Sequence, residues 1–212
     1  MTIRYPNGKK YEPVQQQITS KNKNFSFSNR GKTLEEELNE SNEFYLSRSI
    51  AVIHKKPVPI QIVHVKYPVR SAAVITEAYF RSPSTTDFNG VWKGKYIDFE
   101  AKETTSRTSF PLNNIHDHQV EHMKKVTEHD GIAFLIVKFT SLERYFIVPY
   151  DYFEEKWERK IAGGRKSITL KEIEDMSIEI EAGFNPRLDY LAALEHLLQS
   201  PIKERIERQE NE

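Results

Sequence analysis

The sequence contains no cysteine, which excludes disulfides, thiolate zinc sites and a cysteine nucleophile, although it does not by itself fix the compartment. No stretch approaches the roughly 18 consecutive apolar residues of a membrane span. The first residues, MTIRYPNGKKYEPVQQQ, also lack the apolar run of a secretory signal. These absences predict a soluble, cytoplasmic protein with no membrane partner. Glycine is sparse, 8 in 212 residues, and neither a Gly-x-Ser-x-Gly elbow nor a dinucleotide-binding glycine pattern occurs. Gly90 and Gly94 stand too close together for a phosphate loop, and Tyr96 replaces the hydroxyl that would hold magnesium there. Gly163-Gly164-Arg165-Lys166-Ser167 lacks the upstream glycine and reads as a loop. His118 and His122 have the spacing of a zinc protease helix, but Gln119 stands where the glutamate belongs. With no third ligand at a recognised spacing, no zinc site is expected.

What is present is charge, unevenly spread. The length of 212 residues suits one domain with tails, and the formal net charge of zero hides a gradient. Met1 to Lys32 carries seven Lys/Arg against one acid, whereas Asp151 to Glu212 carries ten bases and fifteen acids. A basic arm rich in Asn, Gln and Ser buries too little to order itself, and such arms either remain solvated or bind phosphate backbones. A second basic stretch, His54 to Arg70, carries Lys55, Lys56, Lys66 and Arg70 and no acid. Two basic tracts point to a nucleic-acid partner. The expected organisation is a disordered arm over residues 1–30, a folded domain over 31–199, and a charged tail over 200–212.

Local pattern gives the elements. Thr33 and Glu36 have capping-box spacing at the head of a helix over Thr33 to Leu46, with Leu34, Leu38, Tyr45 and Leu46 as its apolar face. Ser49 to Ile53 and Ile60 to Val65 read as strands, and Pro57, Pro59 and Pro68 limit where sheet pairing can run, so this stretch is expected to project from the core. Asp87 to Glu103 reads as a hairpin turning at Asn89-Gly90, with strict alternation from Tyr96 to Lys102. Ile115 to Glu128 is an amphipathic helix; Gly131 to Phe139 and Tyr145 to Val148 are buried strands. Helices follow near Tyr152 to Lys160, Leu170 to Met176 and Leu188 to Leu198. The order predicts an α/β fold, a mixed central sheet flanked by helices.

One constellation carries chemistry. Asp87 precedes the hairpin, and Glu100 and Lys102 lie two apart on one face of the return strand. Two carboxylates and a lysine are what phosphodiester cleavage needs: hard oxygens to hold magnesium beside the phosphate, and a cation to stabilise the developing charge. The same residues also suit an ordinary ion pair on a solvent-facing hairpin. Gln119 favours the site, because it falls in register with Ile115 and Met123 on the helix face that packs on the sheet, and a buried amide needs a partner. A metal-bound water or a ligand position would supply one.

Ser84-Thr85-Thr86-Asp87 with Glu100-Ala101-Lys102 resembles the PD-(D/E)xK nuclease motif, degenerate in its first half. Three linked blocks sharpen the likeness: Asn29-Arg30-Gly31 leading into Leu34-Glu35, Glu77-Ala78-Tyr79-Phe80 running on to Asp87, and Tyr96 to Thr104. Together they resemble the RecU family of bacterial Holliday junction resolvases, from about Asn29 to Leu198. The resemblance implies a restriction-endonuclease-like core with a stalk insertion around residues 57–83. It implies Thr85, Asp87, Glu100 and Gln119 as magnesium-site residues, Lys102 as the transition-state stabiliser, and Glu35 on the first helix as a further catalytic group, with Glu36 and Glu37 as neighbouring candidates. No proline directly precedes Asp87, which departs from the superfamily pattern. The implied activity is paired, magnesium-dependent nicking of four-way DNA junctions by a homodimer in recombination and repair, with a recombinase as a further partner. Arg30, Arg70 and Arg81 would meet phosphates, and Tyr79 and Phe80 would either stack on bases or belong to the core. Two rival readings remain, a non-catalytic accessory that binds and anneals DNA and a restriction-type nuclease that cuts linear duplex.

Overall fold

The computed structural model describes residues 32–67, 72–81 and 85–199. The expected arm and tail lie outside these residues, as do Arg30 and Arg70. Helix α1 spans Leu34–Ser47. It starts at Thr33 because the capping box forms: the Thr33 hydroxyl accepts the Glu36 N–H at 3.3 Å, and the Glu36 carboxylate accepts the Thr33 N–H at 2.9 Å. Leu34, Leu38 and Tyr45 are buried, while Leu46 turns outward. Strands β1 (Ala51–Lys55), β2 (Ile60–Lys66), β3 (Val74–Phe80), β4 (Phe88–Trp92), β5 (Lys95–Thr104) and β6 (Ser109–Pro111) follow. Then come α2 (Asp117–Glu128), β7 (Ile132–Phe139), β8 (Arg144–Pro149), α3 (Tyr150–Ile161), β9 (Ser167–Thr169), α4 (Leu170–Met176), β10 (Ile178–Ile180) and α5 (Tyr190–Gln199).

Six strands form one mixed sheet in the order β1-β4-β5-β7-β8-β10. Only β5 and β7 run parallel in it, and parallel neighbours need a crossover, which α2 supplies. Helices α1 and α5 bury their apolar sides on one face, and α2, α3 and α4 on the other, so five helices sandwich the sheet between two cores. Register in the first half is pinned by aromatic rings. Phe88, Phe99 and Phe134 stand opposite one another on β4, β5 and β7 and stack at centroid distances of 5.0 and 4.8 Å. A slip of one residue would turn each strand's buried face outward. The same register therefore fixes Asp87, just before Phe88, beside Glu100, just after Phe99.

The hairpin turn is not at Asn89-Gly90. Both residues lie within β4, and the chain reverses at Lys93 and Gly94, whose φ values of 48° and 75° match a two-residue turn with both central residues left-handed. Gly90 is needed for a different reason: a Cβ there would come within 2.1 Å of the Val52 carbonyl oxygen on the neighbouring β1.

Strands β2 and β3 pair with each other and stand apart from the main sheet. Nearly every residue of the pair is exposed, with Tyr79 at 61% and Phe80 at 84%, so neither aromatic belongs to the core. Opposed residues share a face, which puts Ile60, Ile62, Ala78 and Phe80 on one side and Gln61, His64, Glu77 and Tyr79 on the other. Tyr79 and Phe80 therefore point in opposite directions.

Candidate active site

The site forms midway along β5, where Gln119 of α2 meets it. The Asp87 N–H donates to Glu100 Oε2 at 3.1 Å, and the Ala101 N–H donates to Asp87 Oδ2 at 3.3 Å. Backbone and carboxylates are thus laced across the β4–β5 register. Glu100 is fully buried, and its other oxygen takes Gln119 Nε2 at 2.6 Å and lies 2.5 Å from Lys102 Nζ. Burial, reinforced by the facing Asp87 charge and opposed by Lys102, pushes the Glu100 carboxyl up to about 7. The buried amide of Gln119 finds its partners within the protein: Nε2 meets Glu100, and Oε1 accepts the His116 N–H at 3.0 Å, which also caps α2. Thr85 is half-buried next to these groups in sequence, its hydroxyl 3.5 Å from the Thr86 carbonyl.

The three glutamates at the head of α1 part company. Glu36 caps the helix. Glu37 is buried and bound by Lys138 at 2.7 Å, by Tyr145 and by Arg187, a network that ties α1 to β7, β8 and the approach to α5. Glu35 alone reaches the groove of about 340 Å³ that Lys102 and Glu103 also line, where it pairs with Lys55. Glu103 anchors this arrangement by accepting the Leu34 N–H at 2.6 Å.

Not every candidate joins the site. On the β2–β3 hairpin, the Arg81 guanidinium donates to Gln61 at 3.1 Å and the Tyr79 hydroxyl to Glu77 at 2.7 Å, both on the polar face. His118 and His122 do not converge: His118 stacks on His116, while His122 lies 3.2 Å from Asp98. Asp98 is a residue that sequence reasoning passed over. The alternation that places it on the face of Glu100 carried a signal, but its full burial depends on Lys56, Thr86 and His122, which are distant in sequence.

The donor set suits a hard divalent cation. Burial first and the facing Asp87 carboxylate second hold the Glu100 carboxyl high, and a cation held by these two carboxylates would favour its charged form. Among the described residues no three His, Cys, Asp or Glu side chains gather around one point. Asp87 and Glu100 are the two carboxylates that meet here, with the Gln119 amide on Glu100, while the Thr85 hydroxyl faces the Thr86 carbonyl.

The family model described as RecU, recombination protein U, matches residues 29–196. The chain belongs to the RecU family. A protein named Holliday junction resolvase RecU from Bacillus cytotoxicus is 57% identical over 195 residues, covering 92% of this chain and 98% of that protein. The proteins of the same name from Bacillus cereus (strain B4264) and Bacillus mycoides (strain KBAB4) are 56% and 55% identical over the same coverage. The RecU match spans Glu35, Thr85, Asp87, Glu100, Lys102 and Gln119.

Proposed function

We propose that this chain is a structure-selective endonuclease that resolves four-way DNA junctions in recombination and repair, using magnesium and acting as a homodimer in the cytoplasm. The observation that carries the reading is the convergence of Asp87, Glu100 and Lys102 midway along β5, in a chain whose close relatives bear the resolvase name.

Asp87 and Glu100 would hold the magnesium, with the Thr85 hydroxyl and the Gln119 amide beside them. Bound there, the ion would supply Lewis-acid polarisation of the phosphate and an activated water. The protein's own groups do the rest. The backbone N–H groups of Asp87 and Ala101 fix the two carboxylates, so their positions need no reorganisation during the reaction. Lys102, partly exposed and beside Glu100, presents an ammonium to the charge that builds on the scissile phosphate as the leaving oxygen departs. Glu35, across the groove from Lys102, is the additional carboxylate placed to orient a water or a backbone phosphate. Arg81, Phe80 and Tyr79 on the hairpin, with Arg70 and the arm residue Arg30, supply the DNA contacts. A junction has two-fold symmetry, which favours a two-fold protein that makes one nick per subunit.

The test is a nicking assay on four-way junction and linear duplex. Asp87→Asn is expected to abolish cleavage while leaving junction affinity nearly unchanged, because affinity rests on phosphate contacts elsewhere. Wild-type protein that binds junctions but does not nick them with magnesium would instead mark the chain as a binding and annealing accessory.

A further inference from the structure

Four groups from separate parts of the chain converge on the buried carboxylate of Asp98. The Thr86 hydroxyl donates to it, the Lys56 ammonium donates at 2.7 Å, the Tyr96 hydroxyl donates at 2.8 Å, and His122 Nε2 lies within 3.2 Å. The Lys56 ammonium also donates to the Thr86 hydroxyl at 2.9 Å. The chemistry assigned to Asp87, Glu100 and Lys102 uses none of these contacts.

Their places in the chain give them meaning. Lys56 is the last residue before Pro57, where the β2–β3 hairpin leaves the sheet, and Thr86 stands where the chain has come back. The backbone closes the same gap, since the Lys56 N–H donates to the Asp87 carbonyl at 2.7 Å. His122 lies on α2 three residues after Gln119. Two carboxylates on one strand therefore hold matching sets: Glu100 takes the Asp87 N–H and Gln119, while Asp98 takes Thr86, Lys56 and His122.

We propose that Asp98 is a positioning residue that seats both feet of the β2–β3 hairpin on the catalytic strand, so that the angle of the hairpin and the position of Asp87 are set together. The proposal rests on the reading of Asp87 and Glu100 as the cleavage site and of the hairpin as the part that meets the junction. A buried carboxylate persists only when paired, and charge-assisted bonds from one acceptor to both feet resist their sliding apart. An asparagine here would remove the negative charge that holds the Lys56 ammonium and would offer only one accepting oxygen to two feet that both donate to it, loosening their hold.

The absence of cysteine allows a direct test, because Tyr67→Cys beyond β2 and His129→Cys beyond α2 are both exposed and carry spin labels at those two sites alone. Pulsed dipolar spectroscopy, with labelled protein diluted in unlabelled chain so that only pairs within one chain are read, gives the hairpin-to-core distance distribution. Asp98→Asn is expected to broaden or shift it. Thr86→Val, which removes one link at constant volume, should move it the same way by less, and decides the matter if Asp98→Asn does not fold. In unlabelled protein, Asp98→Asn should lower kcat on junctions by about 10- to 100-fold, the scale of a misplacement near 1 Å, with KM changing less than about threefold. Distance distributions identical to the parent in both variants would overturn the proposal, and so would a displaced hairpin with unchanged kcat. If the parent chain does not cleave at all, the cleavage reading fails, while the label distances still decide whether Asp98 seats the hairpin.

Discussion

Glu100 is the residue on which protonation and charge balance meet, and on which the proposed magnesium would act. Its carboxyl lies at about 7 in the folded chain against an ordinary value of 4.5, raised first by burial and then by Asp87. Between those two pH values the folded chain keeps a proton that the unfolded chain has released. The stability Glu100 contributes is therefore complete below 4.5 and disappears as pH rises through about 7. The magnesium proposed for the Asp87–Glu100 pair would replace that proton. Magnesium should accordingly raise Tm more at about pH 8 than at about pH 5, and Asp87→Asn should remove the difference. Equal magnesium shifts at both pH values in calorimetry would speak against a metal at this pair. Lys102 acts in the opposite sense to burial, drawing the Glu100 carboxyl down. Lys102→Ala should thus do two things in a cleavage assay. It should lower kcat by about 10²-fold by removing charge stabilisation, and it should move the acidic limb of the pH–rate profile upward. Wild-type turnover with an unmoved profile would deny Lys102 both roles.

At the scale of elements, the β2–β3 hairpin decides how the two aromatics act. An isolated two-stranded hairpin is marginal in water, and this one carries Ile60, Ile62, Ala78 and Phe80 on one exposed face. For the proposed stacking on DNA bases, Phe80 on that apolar face would be the better platform, because Tyr79, on the other, has its hydroxyl engaged by Glu77. Phe80→Ala should reduce the preference for junction over duplex by about 1–3 kcal/mol, the worth of one stacked base. Tyr79→Ala should reduce it by clearly less. Both should unfold close to the parent, since exposed positions tolerate substitution within about 0.5 kcal/mol. Competition binding that ranks Tyr79 above Phe80 would reverse the assignment of faces. Much of this level was readable from local pattern: the Thr33–Glu36 box, the alternation that aligned Glu100 with Lys102, and α4 over Leu170–Met176 are all decided within a few residues. Features settled by distant partners were not. Asn89-Gly90 has the chemistry of a turn, yet Gly90 answers to the Val52 backbone on β1. Strand β10 is three residues long and exists because Ile178 pairs with Ile147 on β8. Gln119 was legible as a buried amide, but its partners, Glu100 and the His116 N–H, were not.

Across the whole chain, the proposed function divides charge between work at the scissile phosphate and work along the backbone of the DNA. The residues proposed for cleavage occupy Glu35 to Gln119, whereas Met1 to Lys32 holds seven bases and one acid. Basic groups of this kind contribute affinity by releasing condensed counterions, a contribution that salt weakens in proportion to the number of phosphates neutralised. Deleting residues 1–27 removes Arg4, Lys9, Lys10, Lys21 and Lys23 but leaves every group at Asp87 and Glu100 in place. The truncated chain should bind junctions more weakly at low salt, and the slope of log affinity against log salt should flatten by about one unit for each phosphate that is no longer neutralised. At saturating junction its kcat should match the full-length chain, because the arm lends no group to the reaction. A titration over several salt concentrations, paired with single-turnover cleavage, separates the possibilities. An unchanged slope would make the arm a solvated tail, and a kcat that fell in step with affinity would place part of it at the scissile phosphate.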